Sequence, residues 1–206
     1  KTVLKMWQGL GYYSRARNMH FTAKMIVNEY GGKFPNTYKE LLKLKGVGAY
    51  TAAAIASIAF GENVATVDGN VYRVLSRIFG IKTDILSSKA NKEFFDLANS
   101  LLPKGKAAIF NQAMMEFGAL YCKPKSPNCE ECIFVANCYA FSHKEQDKLP
   151  VKVKKIKVKK RYFHYLVFEF EGNLLIKKRS KGDIWQGLYD FHLEEKNEIF
   201  DTENLM

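Results

Sequence analysis

Cysteine is missing from almost the whole chain, and all four cysteines fall between Cys122 and Cys138. A disulfide framework would staple distant segments of a small secreted domain, which this placement and a length of 206 residues do not suit. The cluster therefore reads as a metal site. No apolar run approaches the ~18 residues of a membrane span, and the opening KTVLKMWQGL lacks the apolar core of a signal peptide. A soluble intracellular protein with no membrane partner is expected. Acidic residues are in deficit, 21 against 32 lysines and arginines, giving a formal net charge of +11. That surplus favours an anionic partner, with nucleic acid ahead of an acidic membrane surface. An initiating Met is also lacking, and the chain begins inside an amphipathic pattern (Val3, Leu4, Trp7, Leu10), so the beginning is expected to be lost.

What is present is organised around Leu41–Arg77. A short apolar helix pattern (Leu41, Leu42, Leu44) breaks at Gly46-Val47-Gly48, restarts at Thr51, breaks at Gly61 and restarts after Asp68. Two helices joined by a glycine hairpin are predicted. Glycines tolerate the torsions of such a turn, and the free N–H groups at the next helix start suit a phosphate. An ordinary helix–helix turn would look the same, so this hairpin alone does not establish nucleic-acid binding.

Ahead of it, Gly9-Leu10-Gly11 interrupts the first helix and presents Tyr12 and Tyr13 beside Arg15 and Arg17. Aromatics next to arginines serve to wedge into a base stack while holding phosphates, although core tyrosines beside a solvated basic helix fit equally well. Phe21, Ala23, Met25 and Ile26 predict a helix ended by Gly31-Gly32, and Thr37 is placed to cap the next. Later, Ser87 or Ser88 caps a helix that stops near Pro103. A further helix from about Lys106 to Leu120 places Ile109, Phe110, Ala113, Met114, Phe117 and Leu120 on one broad face.

Cys122, Cys129, Cys132 and Cys138 are separated by six, two and five residues. Four thiolates this close can enclose one cation or cluster, and the spacing does not separate a structural zinc from an iron–sulfur cluster. Between the first two, Lys123 and Lys125 lie on a proline-stiffened loop that could press on phosphates or simply be solvated. Composition shifts at 144–161, where lysines alternate with Val151, Val153, Ile156 and Val158, as expected of an extended basic linker. Beyond it, Tyr162–Phe170 reads as a strand, Glu171-Gly172-Asn173 as a turn, Leu174–Lys177 as the returning strand and Leu188–Leu193 as another. The roughly 45 residues after the linker are short for an independent core, so the C-terminal part is expected to be truncated.

The segments GLGYYSRARN, GGKFP, LKGVGAYTAAAI, VDGNVYRVLSR and FNQAMMEFGALYC, the cysteines and IWQGLYDF, in this order, resemble the endonuclease III superfamily of DNA glycosylases, and within it the adenine DNA glycosylase (MutY) family. The resemblance implies a mainly α fold with a small β part: a helix–hairpin–helix glycosylase domain (1–143), the linker (144–161) and the start of a Nudix-like β domain (162–206). It implies a [4Fe–4S] cluster on the four cysteines, and a monomer acting on double-stranded DNA containing adenine opposite 8-oxoguanine or guanine. A cytoplasmic, nucleoid-associated location follows from the same comparison.

Cleaving an N-glycosidic bond requires the base to leave the stack and the sugar's oxocarbenium charge to be stabilised by a carboxylate. By resemblance Tyr12 is the wedge, Asp68 the carboxylate, Asn70 its orienting neighbour and Gln112 a reader of the base edge; Asp68 as a plain helix cap is the structural alternative. Tyr50 stands where bifunctional relatives carry a Schiff-base lysine, and a phenol cannot form that imine. A monofunctional enzyme is the expectation, with a bifunctional glycosylase/lyase or a non-catalytic DNA-binding fragment as alternatives. The family's catalytic glutamate belongs to a segment N-terminal to residue 1, so the chain as given is expected to be inactive or nearly so. Glu194-Glu195-Lys196-Asn197-Glu198 is not the glutamate run of a Nudix hydrolase, and Phe141-Ser142-His143, an 8-oxoguanine-reading tripeptide elsewhere, lies in the wrong domain and is read as coincidence.

Overall fold

A computed structural model describes residues 2–153, 159–182 and 184–198. The chain divides into two compact units, residues 1–154 and 155–206. Residues 154–158 of the basic stretch and 199–206 of the expected β domain lie outside the described residues.

The first unit is helical: α1 (Thr2–Met6), α2 (Ser14–Glu29), α3 (Tyr38–Leu41), α4 (Ala49–Phe60), α5 (Gly69–Phe79), α6 (Ser88–Leu101), α7 (Ala107–Leu120), a 3-10 turn at Val135–Asn137 and α8 (Tyr139–Ser142). The helix starts follow local chemistry. Thr37, Asp68 and Ser87 each accept a backbone N–H from three residues on, and Gly61 and Gly80 end α4 and α5 in the left-handed conformation.

Two apolar clusters build the core. Ile26, Leu41, Leu44 and the alanines of α4 form one, and Val71, Leu75, Phe94 and Ala98 form the other. Segment 61–68 runs between them and ends at Asp68. Among the described residues it has no strand partner, and two asparagines take over its backbone bonding. Asn99 Oδ1 accepts the Ala65 N–H at 2.9 Å. Asn111 Oδ1 accepts that of Thr66, and its amide donates to Val64 O and Ser57 Oγ, all at 2.9 Å. Buried backbone groups need such partners.

Two predicted apolar patterns hold in part: Phe110 and Met114 of α7 and Met25 and Ile26 of α2 pack into the core, and other members do not. On α7, Ile109 is 72% and Leu120 61% exposed, and the buried residues are Ala107, Asn111 and Gly118. The helix turns its small and amide side chains inward because α4 and α5 approach it too closely for large ones. On α2, Phe21 is half exposed, with Lys45 Nζ 4.3 Å from its ring centre, whereas Ile26 of the same pattern is buried together with Ala16 and Thr22.

The basic stretch begins as part of the first unit. The Ile85 N–H donates to Val151 O, the Arg77 guanidinium to Gln146 O and Leu149 O, and Leu149 is buried.

The second unit holds short antiparallel pairs. β1 (Tyr162–Leu166) pairs with β6 (His192–Lys196), β2 (Glu169–Phe170) with β3 (Asn173–Leu174), and β4 (Lys177–Lys178) with β5 (Tyr189–Asp190). Glu171 and Gly172, at φ of 49° and 73°, make the tight turn between β2 and β3. The single strand predicted over 162–170 is thus interrupted at 167–168.

Candidate active site

Asp68 precedes the first turn of α5 with extended backbone, so its carboxylate faces the helix N–H groups. Oδ1 accepts the Val71 N–H at 2.8 Å, and Oδ2 accepts the Asn70 amide at 2.9 Å. Both oxygens are held by donors, which fixes the orientation of the carboxylate.

Asn70 is oriented in turn. Its Oδ1 accepts from the Arg73 guanidinium at 2.9 Å, which fixes its NH₂ toward Asp68. Arg73 also donates to Cys122 O at 2.7 Å and to Gly118 O. Burial lowers the pKa of this guanidinium, against the support of Cys122 and Asp68. Gly118 is the reason α7 can come so close, since a Cβ there would lie 2.6 Å from Asn70 Cβ. A continuous line of hydrogen bonds thus runs from the cysteine loop to Asp68.

Tyr50 lies in the first turn of α4, 44% exposed, and its hydroxyl donates to Met115 Sδ at 3.4 Å. Gln112 is exposed on α7. Among the described residues, no hydrogen bond joins Gln112, Tyr50 or Tyr12 to Asp68.

The hairpin has the predicted glycine geometry. Gly46 has a φ of 82°, and a Cβ there would sit 2.6 Å from Asn18 Cβ, so position 46 excludes side chains twice over. Val47 N–H donates to Leu44 O, and Gly48 caps α4 without a side chain over the helix N–H groups. Thr22 Oγ1 donates to Lys45 O at 2.8 Å and pins the turn to α2. Tyr12 is 83% exposed at a φ of 46°, with the Arg15 guanidinium 5.6 Å from its ring centre. A core role for Tyr12 is excluded, whereas Tyr13 is partly buried.

Cys122, Cys129, Cys132 and Cys138 line one pocket with Phe117, Phe134 and Arg77. Arg77 donates to Cys122 Sγ at 3.4 Å and to Lys123 O at 2.7 Å, and the Cys138 thiol meets Arg77 O at 3.5 Å. Burial raises the Cys129 thiol pKa. Among the described residues no three Cys, His, Asp or Glu groups converge as ligands of a single ion. Four soft donors around one pocket, none paired in a disulfide, fit a thiophilic metal ion or cluster. Lys123 and Lys125 are exposed on the loop outside it.

Sequence reasoning passed over Arg73, Arg77, Asn111 and Gly118. Their signals were present: Asn70, Arg73 and Arg77 form a polar stripe at helical spacing on α5, and Gly118 is an isolated glycine inside a helix.

Known proteins share sequence with most of this chain. Residues 1–100 match the model of the HhH-GPD superfamily base excision DNA repair proteins. The chain is 35% identical over 189 residues to an adenine DNA glycosylase of Buchnera aphidicola subsp. Schizaphis graminum, covering 92% of this chain and 54% of that protein. It is 45% identical over 148 residues to the human adenine DNA glycosylase, covering 71% of this chain and 27% of the relative. The chain therefore spans about half the length, or less, of these curated relatives. Among solved structures, a thermostable thymine-DNA glycosylase superposes with a TM-score of 0.63 at 36% identity, over 69% of this chain and 65% of that one. A non-covalent endonuclease III–DNA complex superposes with a TM-score of 0.56 at 32% identity, over 67% and 62%. With its glycine hairpin, its capped Asp68 and these relatives, the chain belongs to the HhH-GPD superfamily of base excision DNA repair proteins.

Proposed function

We propose that the chain is the part of a monofunctional adenine DNA glycosylase that binds the duplex and stabilises the sugar cation during hydrolysis of adenine opposite 8-oxoguanine or guanine. The observation that carries this reading is Asp68, its carboxylate held in place by donors on both oxygens at the mouth of α5. When the base departs, positive charge develops at the anomeric carbon, and a fixed carboxylate stabilises or captures it without reorganising. Asn70 keeps the carboxylate aimed, and Tyr50 offers a phenol where a lyase needs an amine.

The remaining assignments follow the same reading. Tyr12, exposed and flanked by Arg15, enters the base stack. The α4 N-terminus behind Gly46-Val47-Gly48 holds a phosphate, as do Lys123 and Lys125, and Gln112 reads the extruded base. Cys122, Cys129, Cys132 and Cys138 hold a [4Fe–4S] cluster, which when bound cross-links the loop that Arg73 and Arg77 tie to α5. The glycosylase domain covers 1–143, the basic linker 144–161 and the start of a Nudix-like domain 162–206, in a monomer of the cytoplasm and nucleoid.

Single-turnover release of adenine from an A·8-oxoguanine duplex tests the reading. It is run with this chain and with this chain fused to the segment that precedes the matched region in the Buchnera relative. Release by either that disappears in Asp68→Asn is the expected result, with strand breaks appearing only after hot alkali. Strand cleavage without alkali, or borohydride trapping of a covalent adduct, would overturn the monofunctional assignment. Thymine release from a G·T duplex without adenine release would instead favour the activity named for the thermostable structural relative.

A further inference from the structure

Tyr12 is held in a backbone conformation that tyrosine rarely takes. Its φ is 46°, in the left-handed region where a side chain crowds its own backbone, and Gly9 and Gly11 of the same turn have φ of 84° and 65°. The ring is nonetheless 83% exposed, so packing into the core does not offset the torsion. The support is local. The Trp7 indole N–H donates to Gly11 O at 3.1 Å, which fixes the peptide before Tyr12. Tyr12 O accepts the Arg15 N–H at 2.9 Å, which fixes the peptide after it.

The Arg15 side chain closes the same turn. Its guanidinium carbon lies 5.6 Å from the centre of the Trp7 ring and 5.6 Å from that of Tyr12, and Nη2 donates to Leu10 O at 3.4 Å. One planar cation therefore meets two aromatic rings and one carbonyl within nine residues of chain. A phosphate contact asks for the opposite arrangement, a donor fork turned outward and unengaged. A lysine could not do the same work as Arg15, because an ammonium is a point charge with no plane to lay against a ring.

We propose that Arg15 is a positioning residue for Tyr12 rather than a phosphate contact: resting on Trp7 and Tyr12, it sets the direction of the exposed ring before DNA arrives. The proposal rests on the reading of Tyr12 as the residue that enters the base stack. A ring ordered in advance loses less freedom on insertion, which favours the inserted state.

The test follows base unstacking, not base release. The full chain is added to saturation to a duplex carrying 2-aminopurine beside an A·8-oxoguanine mispair, and the fluorescence rise of the unstacked probe is recorded. Fluorescence anisotropy against salt is measured on the same duplex. Arg15 is exposed, and thermal melting checks that Arg15→Lys and Arg15→Ala are folded. Both should cut the rise by about twofold or more. Neither should lower it further in a Tyr12→Ala background, and the log–log salt slope should stay at the wild-type value. A full rise with Arg15→Lys overturns the proposal, and so does a slope flattened by about 0.9 in Arg15→Ala, the loss of one phosphate contact. Tyr12→Ala alone separates the two levels of the argument. If it loses the rise while Arg15→Lys keeps it, the ring enters the stack without this brace. A rise that survives Tyr12→Ala, or no rise with wild type, removes the insertion reading and the brace with it.

Discussion

Asp68 Oδ1 serves the helix and Oδ2 faces Asn70, so its structural and chemical roles can be separated by substitution. Asparagine caps a helix about as well as aspartate, and Asp68→Asn should change unfolding free energy by no more than about 1 kcal/mol. Under the proposed function, loss of the fixed charge should lower single-turnover adenine release, measured on the chain fused to the preceding segment of the Buchnera relative, by about a hundredfold to a thousandfold. Urea melts and quench-flow time courses of the same preparation check both halves, and a variant that unfolds as it loses activity would leave only the cap. Gly118 gives a complementary prediction. A methyl group there would have to displace Asn70, 2.6 Å away, so Gly118→Ala should reduce release at least tenfold while DNA affinity holds. Single-turnover rates beside equilibrium binding decide it. Asp68 was legible in the sequence because a cap residue ahead of an apolar helix is a local signal. Gly118 and Arg73 show only as an isolated glycine and a polar stripe, and what those signals serve depends on partners far away in the chain: Asn70 against Gly118, and the carbonyls of Gly118 and Cys122 for Arg73.

At the scale of elements, segment 61–68 delivers Asp68 without belonging to any sheet, and Asn111 substitutes for the missing strand. Asn111→Leu would leave Thr66 N–H, Val64 O and Ser57 Oγ without this partner inside the core. A cost of about 2–4 kcal/mol is expected, measured by denaturant unfolding. A loss below 1 kcal/mol would mean that water replaces the amide. The hairpin carries a second expectation. Gly46→Ala combines a positive φ with a Cβ against Asn18, and should destabilise by about 1–3 kcal/mol. The hairpin was readable because glycine spacing marks a turn wherever it occurs. The inward face of α7 was misread for the opposite reason. Counting apolar residues finds stripes of large side chains, whereas close helix–helix approach selects Ala107, Asn111 and Gly118, whose burial depends on neighbours that periodicity does not reveal.

For the whole molecule the charge of +11 is the dominant physical fact, and it makes a claim about how DNA is held. Phosphate contacts release counterions, so affinity should fall as a power of salt concentration, with a slope of about −0.9 per contact on duplex DNA. Lys123 and Lys125 are exposed on a loop whose carbonyls at 123 and 124 are gripped by Arg77. Such anchoring presents the two ammonium groups on a fixed backbone rather than a mobile tail. If both contact phosphates, the Lys123→Ala/Lys125→Ala double variant should flatten the log–log slope by about 1.8 and weaken binding equally on matched and mismatched duplexes. The substitutions leave every backbone acceptor of Arg77 in place, so the cysteine loop should keep its structure. Fluorescence anisotropy between 50 mM and 200 mM salt, about the span over which such contacts express themselves, makes the measurement. An unchanged slope would show that these lysines only solvate the loop, and that the positive charge engaging DNA lies elsewhere in the chain.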